Sequence, residues 1–182
     1  MKIAITGHSA GIGQALTRIF ENQGHEVVGL SRRNGYNIRS LPKVAAMIEP
    51  CDIFINNAQA GFAQTELLFE MWQRWKGQKK HIMVISTMLT LSPTAIKSDI
   101  GIDQYRIQKL ALEESCKQLM YKSPWPMVTI VKPGGVATQP DYDLSTHADV
   151  NQWAETLVKC LDLANPNLRI YEISLGMNYF GS

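Results

Sequence analysis

The 182-residue chain has little cysteine, no surplus of charge and no long hydrophobic run. Its three cysteines, Cys51, Cys116 and Cys160, are odd in number and form no Cys-x-x-Cys pair. That excludes a disulfide framework and suits a reducing compartment, so a cytoplasmic location is expected. Eighteen Lys and Arg stand against 16 Asp and Glu, a net charge of +2. Such balance gives no electrostatic case for a nucleic-acid or membrane surface. No stretch approaches the ~20 apolar residues that cross a bilayer, and the short apolar run after Met1 is not a signal peptide. The four histidines, His8, His25, His81 and His147, lack metal-ligand spacing, and no metal is expected. The basic run Lys76, Lys79, Lys80, His81 reads as a solvated loop end. Repeats, low-complexity tracts and linkers are absent. With 45% hydrophobic and 19% charged residues, disorder is excluded. One domain over residues 1–182 is expected.

What the chain does have is a regular alternation of buried strands and helices. Strands are predicted at 2–6, 25–30, 51–56, 81–86, 127–132 and about 169–175. Helices are predicted at about 12–23, 40–49, 64–77, 103–121 and 147–162. Gly24 is placed to end the first helix, and Ser40 with Pro42 to start the second. The segment 88–103 is less regular, and 138–146 reads as a loop. The strands are continuous apolar runs, the signature of a parallel sheet covered on both faces. Right-handed crossovers make it an α/β doubly wound sheet, a three-layer Rossmann-type sandwich.

Thr6-Gly7-His8-Ser9-Ala10-Gly11-Ile12-Gly13 joins the first strand to the first helix. In that context a glycine-rich turn is a dinucleotide site. Gly7 permits the tight turn, Gly11 admits a pyrophosphate to the backbone, and Gly13 lets the helix pack closely. The helix N-terminus favours phosphate. The second strand ends Leu30-Ser31-Arg32-Arg33, without the acidic residue that would accept from an adenosine 2′-hydroxyl. Arginine there suits a 2′-phosphate, which favours NADP(H) over NAD(H).

Tyr105 and Lys109 stand four residues apart on a predicted helix, on one face. A free phenol titrates near 10 and a neighbouring cation favours its ionised form. The pair is a weak signal alone. It gains weight from its order among others: the glycine turn, Asn56-Asn57-Ala58 after the third strand, Ser86-Thr87 after the fourth, and Pro133-Gly134 after the fifth.

This series resembles the short-chain dehydrogenase/reductase family in its compact single-domain form, over residues 2–138 and beyond. The resemblance implies a Rossmann-type fold and NAD(P)(H)-dependent hydride transfer at a carbonyl or alcohol carbon. Tyr105 would carry the proton, and Lys109 would hold the nicotinamide ribose and lower the tyrosine's pKa. Thr87, or in its place Ser86, would be the catalytic hydroxyl. Asn56, Asn57 and Ala58 would lie under the riboses. Pro133, Gly134 and Val136 would flank the nicotinamide, Thr138 would contact its amide or the phosphates, and Asn37-Ile38 would lie beside the adenine.

The chain departs from the family pattern in three places. Between Arg33 and Cys51 there is room for one helix, where the family has a helix, a strand and a helix. No Asn stands between Asn57 and Thr87, so Gln59 or Gln64 would replace the family's catalytic asparagine. The loop after Val136 is short, with Tyr142, Leu144 and His147 as candidate lid residues. The helix at 64–77 carries Leu67, Leu68, Phe69, Met71, Trp72 and Trp75, more than one face can bury. In the family this helix and the Tyr/Lys helix form an interface between subunits, so a homodimer or homotetramer is expected. The expected function is an oxidoreductase on a small carbonyl or alcohol substrate. The alternative is a dinucleotide-binding sensor or interaction protein with little or no catalysis. The extended epimerases and dehydratases are disfavoured, because they carry a C-terminal substrate domain.

Overall fold

A computed structural model of the protein describes residues 1–91, 100–162 and 168–177. Part of the irregular segment expected at 88–103 therefore lies outside the described residues. Six parallel strands form one sheet: β1 (Lys2–Thr6), β2 (Glu26–Leu30), β3 (Ile53–Asn56), β4 (His81–Ile85), β5 (Met127–Pro133) and, last in sequence, β8 (Glu172–Leu175). Their spatial order is β2-β1-β3-β4-β5-β8. The order reverses between β1 and β3, and the crevice at such a switch point is where open α/β sheets bind ligands.

Five helices cover the sheet: α1 (Gly11–Asn22), α2 (Leu41–Ile48), α3 (Ala63–Arg74), α4 (Ile100–Lys122) and α5 (Val150–Asp162). Alternation along each strand assigns residues to two cores. Ile3, Ile5 and Ile55 pack with Leu16, Trp153 and Leu157 from α1 and α5. Ala4, Phe54 and Ile82 pack with Val44, Leu67, Leu68 and Leu112 from α2, α3 and α4. Because both faces are buried, the strands need no polar face, which is why they read as uninterrupted apolar runs.

Between Arg33 and Cys51 the chain makes a 3-10 turn at Arg32–Asn34 and the single helix α2. As the spacing requires, β2 is left as an edge of the sheet. The Ser40 side chain makes no capping bond, and Pro42 in the first turn is the start signal that holds. Helix α4 begins three residues earlier than the pattern suggests, and α5 begins three later. The later start follows from Asp149, whose Oδ1 accepts from the backbone N–H of Asn151 and Gln152 at 2.9 and 3.0 Å. Two short parallel strands, β6 (Val136–Ala137) and β7 (Ala148–Asp149), had no signal long enough to find; they tie down both ends of the loop between them.

Candidate active site

The glycine turn is set by three close approaches. Gly7 and Gly11 have φ of +71° and +52°, the left-handed region that favours glycine. A Cβ on Gly13 would fall 2.3 Å from the Gly7 carbonyl oxygen and 2.8 Å from Asn57 Nδ2. The third glycine thus admits the turn itself and a side chain from β3, a more specific role than general helix–sheet packing. Asn57 Nδ2 donates to the Thr6 carbonyl at 2.9 Å. Thr6 Oγ1 accepts from the backbone N–H of Asn57 and Ala58 at 3.0 and 3.1 Å. Gly7 N–H donates to Leu30 at 2.7 Å. The ends of β1, β2 and β3 are thereby stitched into one floor.

Over that floor lies a cavity of about 550 Å³, lined by Gly7, Ser9, Ala10, Ser31, Arg32, Arg33, Asn37, Ile38 and Ala58. Tyr36, Arg39, Gln59, Ala60 and Gly61 complete it. Arg39 was legible as a third arginine close behind the second strand; Tyr36 and Ala60 carried no signal. Arg33 Nη1 donates to the Ser9 carbonyl at 3.2 Å, so one guanidinium braces the turn while Arg32 and Arg39 stay exposed. The lining contains three arginines and no carboxylate. A turn with glycine at positions 7 and 11 under a basic rim fits the phosphates of a dinucleotide.

A second cavity of about 200 Å³ continues from Gln59 and Asn57. It is lined by Ile12, Ile85, Ser86, Thr87, Tyr105, Lys109, Pro133, Gly134, Val136 and Thr138. The Thr87 hydroxyl lies near enough to the Tyr105 phenol to favour its ionised form. Lys109 Nζ lies 5.6 Å from the centre of the Tyr105 ring. Lys109 is 3% exposed and donates to Gln64 Oε1 at 2.8 Å and to the Ile85 carbonyl at 2.7 Å. Burial lowers its pKa to about 8, against the opposing pull of Glu113. Burial raises the Tyr105 pKa, and the Thr87 hydroxyl acts the other way. In the protein alone, burial therefore leaves the Tyr105 pKa above the ordinary phenol value, where the pair suggests a lowered one.

The two hydroxyls that the sequence left open are separated by geometry. Ser86 Oγ donates to Glu113, whereas the Thr87 hydroxyl acts on the Tyr105 phenol. Glu113 Oε1 also accepts from Thr90 Oγ1 at 2.7 Å, and Oε2 pairs with Lys132 at 3.1 Å. The two candidate glutamines separate as well. Gln64 is buried and bonds Lys109, the Asn56 carbonyl (2.7 Å) and the Ile85 carbonyl (3.1 Å), whereas Gln59 donates to Gln108 at 2.8 Å.

Some expected ligand residues do not reach the cavity walls. Asn56 is fully buried, its Nδ2 donating to the Gln64 carbonyl at 2.9 Å. His8 turns away onto β2, where only the missing side chain of Gly29 leaves room for its ring. Gly11 and Gly13 shape the turn from behind; Thr138 packs on Gly11, where an added Cβ would come within 3.0 Å. The candidate lid residues stand apart from both cavities: Tyr142 stacks on His147 with ring centres 4.8 Å apart, and neither they nor Leu144 line either one. Asp143 binds Ser145 and holds that loop on itself. Most of the apolar surplus on α3 is buried between α2 and α4, leaving Phe69 exposed. Among the described residues, no group of three or more His, Cys, Asp or Glu could hold a metal, and no helix is long and apolar enough to cross a membrane.

Comparison with known proteins agrees with this geometry. A model of the NAD dependent epimerase/dehydratase family matches residues 3–69, from β1 into α3. The disfavoured extended relatives are thus the ones whose model fits the dinucleotide half. Comparison with curated proteins gives no match. Among solved structures, the chain is similar to an alcohol dehydrogenase from the archaeon Thermococcus sibiricus complexed with 5-hydroxy-NADP. The TM-score is 0.76 at 16% identity, over 100% of this chain and 99% of that one. It is similar also to a short-chain dehydrogenase/reductase from Vibrio parahaemolyticus (0.73, 19%, covering 95% and 98%). A third likeness is a short chain dehydrogenase from Burkholderia cenocepacia in complex with NADP (0.76, 15%, covering 97% and 88%). The likeness to these structures shows the fold, the Rossmann fold that short-chain dehydrogenases/reductases carry.

Proposed function

We propose that the protein is an NADP(H)-dependent oxidoreductase of the short-chain type, acting on a small carbonyl or alcohol. One observation carries the reading: Tyr105, Thr87 and Lys109 all line the smaller cavity, which shares Gln59 with the arginine-rimmed cavity over the glycine turn. The larger cavity would hold the adenosine and phosphates, with Arg32 and Arg39 on the 2′-phosphate and Arg33 bracing the turn. When bound, the nicotinamide supplies or accepts the hydride. The chain's own residues handle the oxygen and its proton. The Tyr105 hydroxyl gives a proton to the oxygen of a ketone or aldehyde as it gains charge, and takes it back in the reverse direction. Thr87 Oγ1 orients the same oxygen and stabilises its charge. Lys109, fixed by Gln64 and the Ile85 carbonyl, presents a cation to the phenol and the ribose. Gln64 fills the place of the family's asparagine.

Phe69 on α3 and Ile107 and Leu110 on α4 are exposed apolar residues that a homodimer would cover. Buried, unpaired Cys51 and Cys116 suit a reducing cytoplasm.

The test is a parallel titration with NADPH and NADH, followed by a carbonyl screen. NADPH is expected to bind at least tenfold tighter, by the worth of one or two charge-assisted hydrogen bonds, ~1.5–3 kcal/mol each. In the active screen, Tyr105→Phe is expected to lose roughly 10²–10⁴-fold in turnover while keeping NADPH affinity. Absence of binding by either nucleotide overturns the reading. Turnover unchanged in Tyr105→Phe overturns the role of the tyrosine and leaves a dinucleotide-binding protein.

A further inference from the structure

At the opposite end of the sheet, by the N-terminal ends of β3, β4 and β5, lies a separate cavity of about 390 Å³. Phe20, Met83, Trp125, Val158, Leu161 and Ile170 supply much of its wall. Its volume is within the ~300–1,000 Å³ of small-molecule sites. Gln23, His25, Asp162 and Arg169 also stand in its lining, so the apolar wall carries polar and charged groups beside it. One polar group in the wall has a defined state. Thr129 Oγ1 donates its one proton to the Ile170 carbonyl at 2.7 Å. The His81 Nε2 atom, 2.9 Å from the same oxygen, must therefore be the donor. Burial keeps that imidazole neutral down to about pH 4. Its Nδ1 is left as a lone-pair acceptor with no partner among the described residues. The sealed, unpartnered side-chain atoms belong to His8, Asn56 and Trp72, so the His81 Nδ1 is open to the space its ring lines.

We propose that this cavity is a second ligand site, distinct from the dinucleotide cavities, for a neutral apolar molecule bearing one hydrogen-bond donor, such as a phenol, and that His81 Nδ1 accepts from that donor. The shape supplies affinity through apolar burial. The fixed tautomer supplies selectivity, because an acceptor rewards an O–H or N–H and offers nothing to an ether. The site does not depend on the redox reading, since none of its lining residues lines either dinucleotide cavity.

The experiment is calorimetric titration of the full chain, saturated with NADP⁺, with 1-naphthol and with 1-methoxynaphthalene, in which the donor is methylated. One 1-naphthol per chain is expected, bound roughly fivefold tighter than the ether, the worth of one neutral hydrogen bond. His81→Phe is expected to abolish that preference, whereas a preference due to the ether's bulk would persist. Leu161→Trp, which fills the cavity from α5, is expected to abolish binding of both and stands in where His81→Phe does not fold. Absence of binding, equal affinity for the two compounds, displacement by NADP⁺, or binding indifferent to Leu161→Trp would each overturn the proposal.

Discussion

Replacing Gly13 by alanine tests the geometry on which the whole dinucleotide site depends. The new methyl would sit 2.3 Å from the Gly7 carbonyl oxygen and 2.8 Å from Asn57 Nδ2, where ordinary contact begins at 3.4 Å. The helix start and the turn would have to part by about 1 Å. The hydrogen bonds at risk are Asn57 Nδ2 to Thr6 and Gly7 N–H to Leu30. Overpacking costs about 1–3 kcal/mol and a lost hydrogen bond about 1 kcal/mol more. A total of about 2–4 kcal/mol lowers the melting temperature by roughly 5–15 °C in a chain of this size. Parting the turn also moves Gly7, Ser9 and Ala10, so NADPH affinity is expected to fall at least tenfold. Gly24→Ala is the control: its φ is +78° but no atom lies within 4 Å of the added carbon. It bears only the left-handed backbone cost of about 1–2 kcal/mol and is expected to bind NADPH as the parent does. Thermal melts and fluorescence titrations of the three proteins decide the matter. A Gly13→Ala protein that melts with the parent and binds NADPH equally would refute the close-approach argument.

Three further outcomes are expected. The His81 pKa falls from 6.5 unfolded to about 4 folded, so the unfolded state binds more protons between those values; the stability held above pH 6.5 is lost as pH falls toward 4, by about 3 kcal/mol. Urea denaturation at pH 7 and pH 4 should show that loss in the parent and a smaller one in His81→Phe. Arg39→Ala and Arg32→Ala are each expected to weaken NADPH about tenfold or more and leave NADH unchanged, read by titration at fixed ionic strength. Glu113→Ala leaves Lys132, which is 4% exposed, with Glu172 at 2.9 Å as its remaining ion-pair partner, and releases Ser86 and Thr90. Calorimetry should show a loss of about 1–3 kcal/mol, from the two released hydroxyls and the weakened pairing of Lys132, largely recovered in Glu113→Leu with Lys132→Met, because a buried pair can be exchanged for apolar packing. If the double variant is no more stable than Glu113→Ala, the pair is not the source of the loss.

The sequence by itself determined the layer order, the element types and the position of the dinucleotide turn. Those properties are local: apolar runs, glycine spacing and helix periodicity act within a few residues and persist wherever the segment is placed. The same locality made Asn56 look like a ligand residue and Tyr142 like a lid, since a residue's type does not reveal which way its side chain faces. Only the tertiary structure shows Ser86 bonded to Glu113 and Gln64, rather than Gln59, bonded to Lys109. Those bonds depend on partners 21 to 45 residues away along the chain, on Glu113 in α4 and Lys109 beneath the phenol. Only the fold buried Tyr105 and so raised its pKa. It also brought Thr129, Ile170 and His81 together to fix one imidazole tautomer, which no spacing of those residues could signal.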